Sequence, residues 1–152
     1  MDRFVEILHE LGNLLGTALH PDKHGVCKLN VNDLLHVQIE FQPERERLLL
    51  ACMICEIPAG KFRENILKDS LRANWPYPLH GTLSYSEKNN HLCLFEYLST
   101  ENLTGQKLLD ALNAFIAKAD SWRLGVQQGD TNSLIPTTKK SESGIFGLKK
   151  ST

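Results

Sequence analysis

The chain has 152 residues, 41% of them apolar and 23% charged, with a formal net charge of −1. That is the composition of one ordinary globular domain. It argues against a polyanion binder, which concentrates positive charge, against a disordered acidic chain, which has fewer Leu, Ile and Phe, and against a membrane helix, which needs an apolar run of roughly 18 residues.

The first predicted element is a helix over residues 2–19, where Phe4, Leu8, Leu11, Leu15 and Ala18 recur at helical spacing with Ile7 and Leu14 beside them. Asp2 is placed to cap it, and acidic Asp2 and Glu6 in the opening residues argue against a secretory signal peptide. The breaker cluster His20-Pro21-Asp22-Lys23-His24-Gly25 ends it. A short strand, Val26 to Val31, follows. Leu35, Val37, Ile39 and Phe41 then alternate with His36, Gln38, Glu40 and Gln42, the pattern of a half-buried strand. Pro43 to Glu46 turns the chain into Leu48 to Ile57, which is apolar on both faces.

A second helix is predicted over about residues 61–74, with Phe62, Ile66, Leu67 and Leu71 as its stripe, and Trp75-Pro76-Tyr77-Pro78 stops it. A second hairpin runs through Leu79, Gly81, Leu83 and Tyr85, turns at residues 87–90, and returns through Leu92 to Leu98, again apolar on both faces. The last helix is predicted over about residues 105–123, with Leu108, Leu112, Phe115, Ala119 and Trp122 on one stripe. After Gly125 the composition turns polar. Lys139, Lys140, Lys149 and Lys150 outweigh Asp130 and Glu142 there, so the near-neutral total combines a mildly acidic stretch with a basic one. The reading is a domain over residues 1–125 and a mobile polar tail over 126–152, within which Ile145-Phe146-Gly147-Leu148 is a short island able to dock. Hairpins separated by helices give an α+β domain with an antiparallel sheet and three helices, in the order α-β-β-β-α-β-β-α.

No catalytic pattern rises above background. Cys27, Cys52, Cys55 and Cys93 lie in apolar strand-like runs and read as buried free thiols of a reducing compartment. Cys52 and Cys55 match Cys-x-x-Cys spacing, but within a strand they point to opposite faces, which suits neither metal nor redox chemistry. His20 and His24 stand beside Pro21 and Gly25, in a loop rather than a metal-binding helix. No nucleophile elbow, dinucleotide fingerprint or phosphate-cradling Gly-Lys-Ser/Thr occurs. No metal, cofactor, nucleic acid or membrane is expected as a partner. What stands out is the apolar excess on two strands and the first helix. The residue pattern leaves two readings open: a sheet covered on both sides, or partner surfaces such as a dimer interface and a peptide groove.

Several strings in order carry a resemblance. They are Asp22-Lys23-His24-Gly25-Val26-Cys27-Lys28-Leu29, then Asp33 and Val37-Gln38-Ile39-Glu40; Leu71-Arg72-Ala73-Asn74-Trp75 before Gly81-Thr82-Leu83-Ser84-Tyr85; and Leu108-Leu109-Asp110-Ala111-Leu112-x-x-Phe115 ending in Ala119-x-x-Trp122. Over about residues 1–125 the chain resembles the class I chaperones of bacterial type III secretion, the effector-specific Tir-chaperone-like family. The resemblance implies a non-enzymatic homodimer of the bacterial cytoplasm. It binds the N-terminal region of a secreted effector in a non-globular state and hands it to the secretion apparatus, with the secretion ATPase or sorting components as further partners. By the same resemblance the dimer contact falls on Ile66, Leu67, Leu71, Trp75, Leu83 and Tyr85, and the effector groove on Val5, Leu8, Leu11, Leu15, Cys27, Leu29, Val37 and Ile39. Members of the family are often distinctly acidic; this chain is nearly neutral and carries a longer tail. The rival readings are a small cysteine or histidine enzyme and a structural adaptor of another secretion or signalling system.

Overall fold

Two of the three helices begin on a capping side chain and close on a left-handed glycine, and the third begins at Gly60 without a side-chain cap. In the computed structural model, which describes residues 2–136, α1 spans Arg3–Leu15. Asp2 accepts a hydrogen bond from the Phe4 N–H at its start, and Gly16 closes it in the left-handed conformation, donating to the Gly12 carbonyl. The helix therefore stops four residues short of its expected end, and Ala18 lies outside it. Three strands follow, β1 (Val26–Val31), β2 (Leu35–Gln42) and β3 (Arg47–Glu56), with a 3-10 turn at Pro43–Arg45. Then come α2 (Lys61–Ala73), β4 (Thr82–Ser86), β5 (His91–Ser99) and α3 (Gly105–Gln128), ending in a second 3-10 turn at Asn132–Leu134. The element order is the expected one. The tail beyond Pro136, including the 145–148 island, lies outside the described residues.

The five strands form one antiparallel sheet in the order β1-β2-β3-β5-β4. The long β3–β5 pairing at its centre joins the two hairpins, with a bulge between Met53 and Cys55. Alternation puts Leu35, Val37 and Ile39 of β2, Leu48, Leu50 and Cys52 of β3, and Leu92 and Leu94 of β5 into the core. The α1 residues Phe4, Ile7, Leu8 and Leu11 and the whole predicted α3 stripe complete it. The two helices touch closely where Gly105 opens α3: a Cβ there would lie 2.5 Å from that of Glu10, and the Gly105 N–H donates to the Glu10 carboxylate.

The other two helices also differ from expectation. α3 continues five residues past Arg123, because Gly125 is a packing position rather than a stop: a Cβ on it would meet Leu134 at 2.6 Å. Residues 130–136 then fold back as a strap on α2. Thr131 is buried, and its hydroxyl donates to the Asp69 carboxylate at 2.6 Å. α2 buries Ile66, Asp69, Ser70 and Ala73; of the expected stripe Ile66 is in the core, Phe62 and Leu67 pack half-buried against it, and only Leu71 is turned outward. The strap satisfies Asp69, and the Ser70 hydroxyl donates to the Ile66 carbonyl, which makes this polar face the inner one.

Candidate partner-binding surfaces

The sheet has two edges, and the structure treats them differently. On β4 the Asn74 side chain donates to the Leu83 carbonyl at 2.9 Å and accepts the Leu83 N–H at 3.0 Å, acting as one rung of a missing strand. Lys118 takes the Gly81 and Leu79 carbonyls at 2.7 and 2.6 Å. The β4 edge is thereby covered at Leu83, its first outward position. On β1, Asp22 serves only the first position. Its N–H donates to the Val26 carbonyl, and its carboxylate accepts the Val26 and His24 N–H groups. Those bonds hold the Asp22 carboxyl below its ordinary value. By alternation Lys28 and Asn30 aim their backbone groups outward as Val26 does. Among the described residues no strand pairs with that side of β1.

The sheet's two faces differ as well. The outer face carries Leu49, Ala51 and Met53 of β3 against Tyr97, Phe95 and Cys93 of β5 in direct register. All six are half-buried or exposed. Phe95 and Tyr97 meet edge-on at 5.8 Å between ring centres. The Arg47 guanidinium lies 3.6 Å over the Tyr97 ring and donates to Gln42, which in turn donates to Glu40, so a charged rim borders the apolar stripe. A depression of about 530 Å³ runs between His36 and Gln38 on one side and His91 and Phe95 on the other. The sequence marked these strands as apolar on both faces, but it gave no way to tell an uncovered face from a covered one.

A third apolar surface stands at the end of α2. Leu71 is 71% exposed, Trp75 77%, Tyr77 66% and Leu79 51%. Beside it opens a recess of about 550 Å³ between α2, α3 and the strap. Of the residues expected at a dimer contact, Leu71, Trp75 and Tyr85 are exposed, Leu67 is half-buried, and Ile66 and Leu83 lie in their own subunit's core. Tyr85 is further engaged: its hydroxyl accepts from Arg63 at 2.7 Å and donates to Asn90 at 3.0 Å. Of the expected groove residues, Leu15 is exposed and Val5 and Leu29 are half-buried. Leu8, Leu11, Cys27, Val37 and Ile39 are sealed in the core: Leu8 and Leu11 lie on the buried face of α1, and strand alternation turns Cys27, Val37 and Ile39 inward.

Among the described residues the buried thiols are held protonated by burial. Burial pushes the Cys52 thiol up to about 11 and raises Cys27, Cys55 and Cys93, the reverse of thiolate activation. Among the described residues no group of three or more His, Cys, Asp or Glu is placed to hold a metal ion. No helix there is long and apolar enough to cross a membrane. Glu96, on the inward side of β5, has one carboxylate oxygen without a hydrogen-bond partner. Burial raises its carboxyl against the opposing pull of His80 and Lys118, and burial lowers the Lys118 amine.

Residues 6–123 match the sequence profile of the Tir chaperone protein (CesT) family. No curated protein matches at a significant level. Among solved structures the fold is similar to that in the HopA1–SchA chaperone–effector complex, with a TM-score of 0.67 at 20% identity over 80% of this chain and 93% of that one. It is similar also to the Yersinia pestis type III secretion chaperone SycH, in complex with a stable fragment of YscM2, with a TM-score of 0.64 at 20% identity over 78% and 98% of the two chains. The ExsC–ExsE complex gives a TM-score of 0.63 at 21% identity over 90% and 98%. At these identities the likeness establishes the shared fold.

Proposed function

The chain belongs to the Tir chaperone protein (CesT) family, and from that premise we propose that it is a type III secretion chaperone. It works as a homodimer in the bacterial cytoplasm, binds the N-terminal region of one or more effectors in a non-globular state, and helps deliver them to the secretion apparatus. The observation that carries this reading is that, among the described residues, the β1 edge is open and the outer face of the sheet is apolar and uncovered. An extended effector segment pairs with the outward backbone groups of Lys28 and Asn30, which offer the hydrogen bonds of strand addition. Side chains on one side of that segment meet Leu29, Val5 and Leu15, the expected groove residues that stay accessible. A further apolar segment of the effector lies on the Met53, Phe95 and Tyr97 stripe, beside the Arg47 rim. The rigid sheet is already formed, so the ordering cost of binding falls on the effector alone.

The test is co-expression with N-terminal segments of secreted proteins from the same bacterium, followed by mass measurement. Two chaperones per effector segment is the expected stoichiometry. Met53→Glu places a charge on the exposed stripe without touching the core, and should weaken the complex by about tenfold or more while leaving the melting temperature unchanged. A folded chain that captures no such segment overturns the reading.

A further inference from the structure

Trp75 is the most exposed large apolar side chain among the described residues, and two residues before it Ala73 forms part of the wall of the recess between α2, α3 and the strap. Resting on the homodimer reading above, we propose that Trp75 of each subunit inserts into this recess on the other, so that each pocket is completed by its partner's indole. The recess exists because small residues stand where larger ones would fill it. Ala73 of α2 and Ala114 and Ala117 of α3 line it, with Trp122 beneath, Leu134 of the strap as one wall, and Lys118 at the side. Lys118 is pinned by its bonds to the Leu79 and Gly81 carbonyls, which holds the 79–81 segment, and with it the rim of the recess, against α3. The side wall thus offers a cation and the floor an aromatic, the surroundings an indole ring favours.

Three features select a second copy of this chain as the occupant. The projecting side chain and the recess belong to one continuous surface, since Leu79 is both an exposed member of the apolar patch and a lining residue of the recess. A surface that carries both can close on itself through a two-fold axis, burying both Trp75 side chains at once. The area is also sufficient. An exposed Trp or Tyr offers on the order of 150–250 Å², so Leu71, Trp75, Tyr77 and Leu79 together present roughly 500 Å². Two such patches face to face cover about 1,000 Å², where specific interfaces begin.

Fluorescence of the full-length protein tests this directly. The chain has two tryptophans, and Trp122 is buried within its own subunit, so changes on association report Trp75. Light scattering and acrylamide quenching are followed together across a dilution series. The expected result is a dimer in which both indoles resist quenching and a dilute monomer in which one becomes accessible. Trp75→Ala should weaken the dimer by about 30-fold, the effect of losing a buried aromatic anchor. Ala117→Phe, at an exposed lining position that the fold tolerates, should fill the recess and weaken it by about tenfold or more. A dimer whose Trp75 stays fully quenchable overturns the inference and leaves the homodimer standing. A monomer at every concentration overturns both. Protection of Trp75 in the monomer, or only after an effector segment is added, assigns the recess to another occupant and overturns the inference.

Discussion

Glu96 sits where alternation along β5 calls for an apolar residue, between Leu94 and Leu98 and across from Leu50 of β3. Its burial is only partly offset by His80 and by Lys118, whose amine is committed to two backbone carbonyls. The folded carboxyl therefore titrates above its unfolded value of about 4.5. Between those two values the folded chain binds more protons than the unfolded one, so this group's contribution to stability falls as pH rises through the window and stays low above it. Glu96→Gln removes the ionisation while keeping the shape. The variant should melt roughly 1–3 °C higher than the parent at pH 7, with the difference closing towards pH 4. A lower melting temperature at pH 7 would mean that the attraction of Glu96 for Lys118 and His80 outweighs its desolvation. The cysteines follow the same rule of burial: their thiols are raised, so they act as small apolar side chains and their spacing carries no chemistry.

At the scale of elements, the strap over 130–136 is tied to α2 by the hydrogen bond from Thr131 to Asp69, which makes that tie easy to isolate. Thr131→Val keeps the volume but removes the donor to Asp69, leaving a mostly buried carboxylate oxygen with only the 3.7 Å contact of Arg72 to its other oxygen. The expected cost is about 1–3 kcal/mol. Thermal unfolding should detect it as a drop of several degrees, with Thr131→Ser close to the parent. The same pair shows where the sequence stops being informative. The order of all eight elements and the α3 stripe follow from periodicity, because Leu108, Leu112, Phe115, Ala119 and Trp122 repeat at helical spacing and each is buried. The inner face of α2 does not follow from it. Asp69 and Ser70 count as polar until a hydroxyl sixty-two positions away and a local carbonyl satisfy them. Gly129 and Asn132 read as tail composition and Gly125 as the boundary before it, though Gly125 is a close-packing position. For the site, alternation identified Val37 and Ile39 as inward, but not that inward meant core. It marked Leu49, Met53, Phe95 and Tyr97 as a second apolar face, with no periodic signal to show that no other described element covers it.

At the scale of the whole molecule, how copies and partners meet depends on which sheet edge is left open. Two open edges would let a sheet extend from both sides and propagate, whereas one open edge ends after a single added strand. Asn74 biases the molecule toward the second case by covering the Leu83 position of β4. It follows α2 directly, where the helix end brings its amide level with Leu83, and its two hydrogen bonds occupy both backbone groups of that residue. Asn74→Ala strips this cover without removing apolar surface. The direct loss should be about 1–3 kcal/mol, since an N–H and a carbonyl at a partly buried edge lose their partner together. The larger consequence should be a change in association: once freed, the Leu83 position offers a second pairing edge, and assemblies beyond the parent's mass should form as concentration rises. Asn74→Asp retains an acceptor for the Leu83 N–H but no donor for its carbonyl, so it should fall between the two. Light scattering over a concentration series, with thermal melts alongside, separates the effects. An Asn74→Ala protein with the parent's mass and melting temperature would mean that α2 and Lys118 close the β4 edge without it.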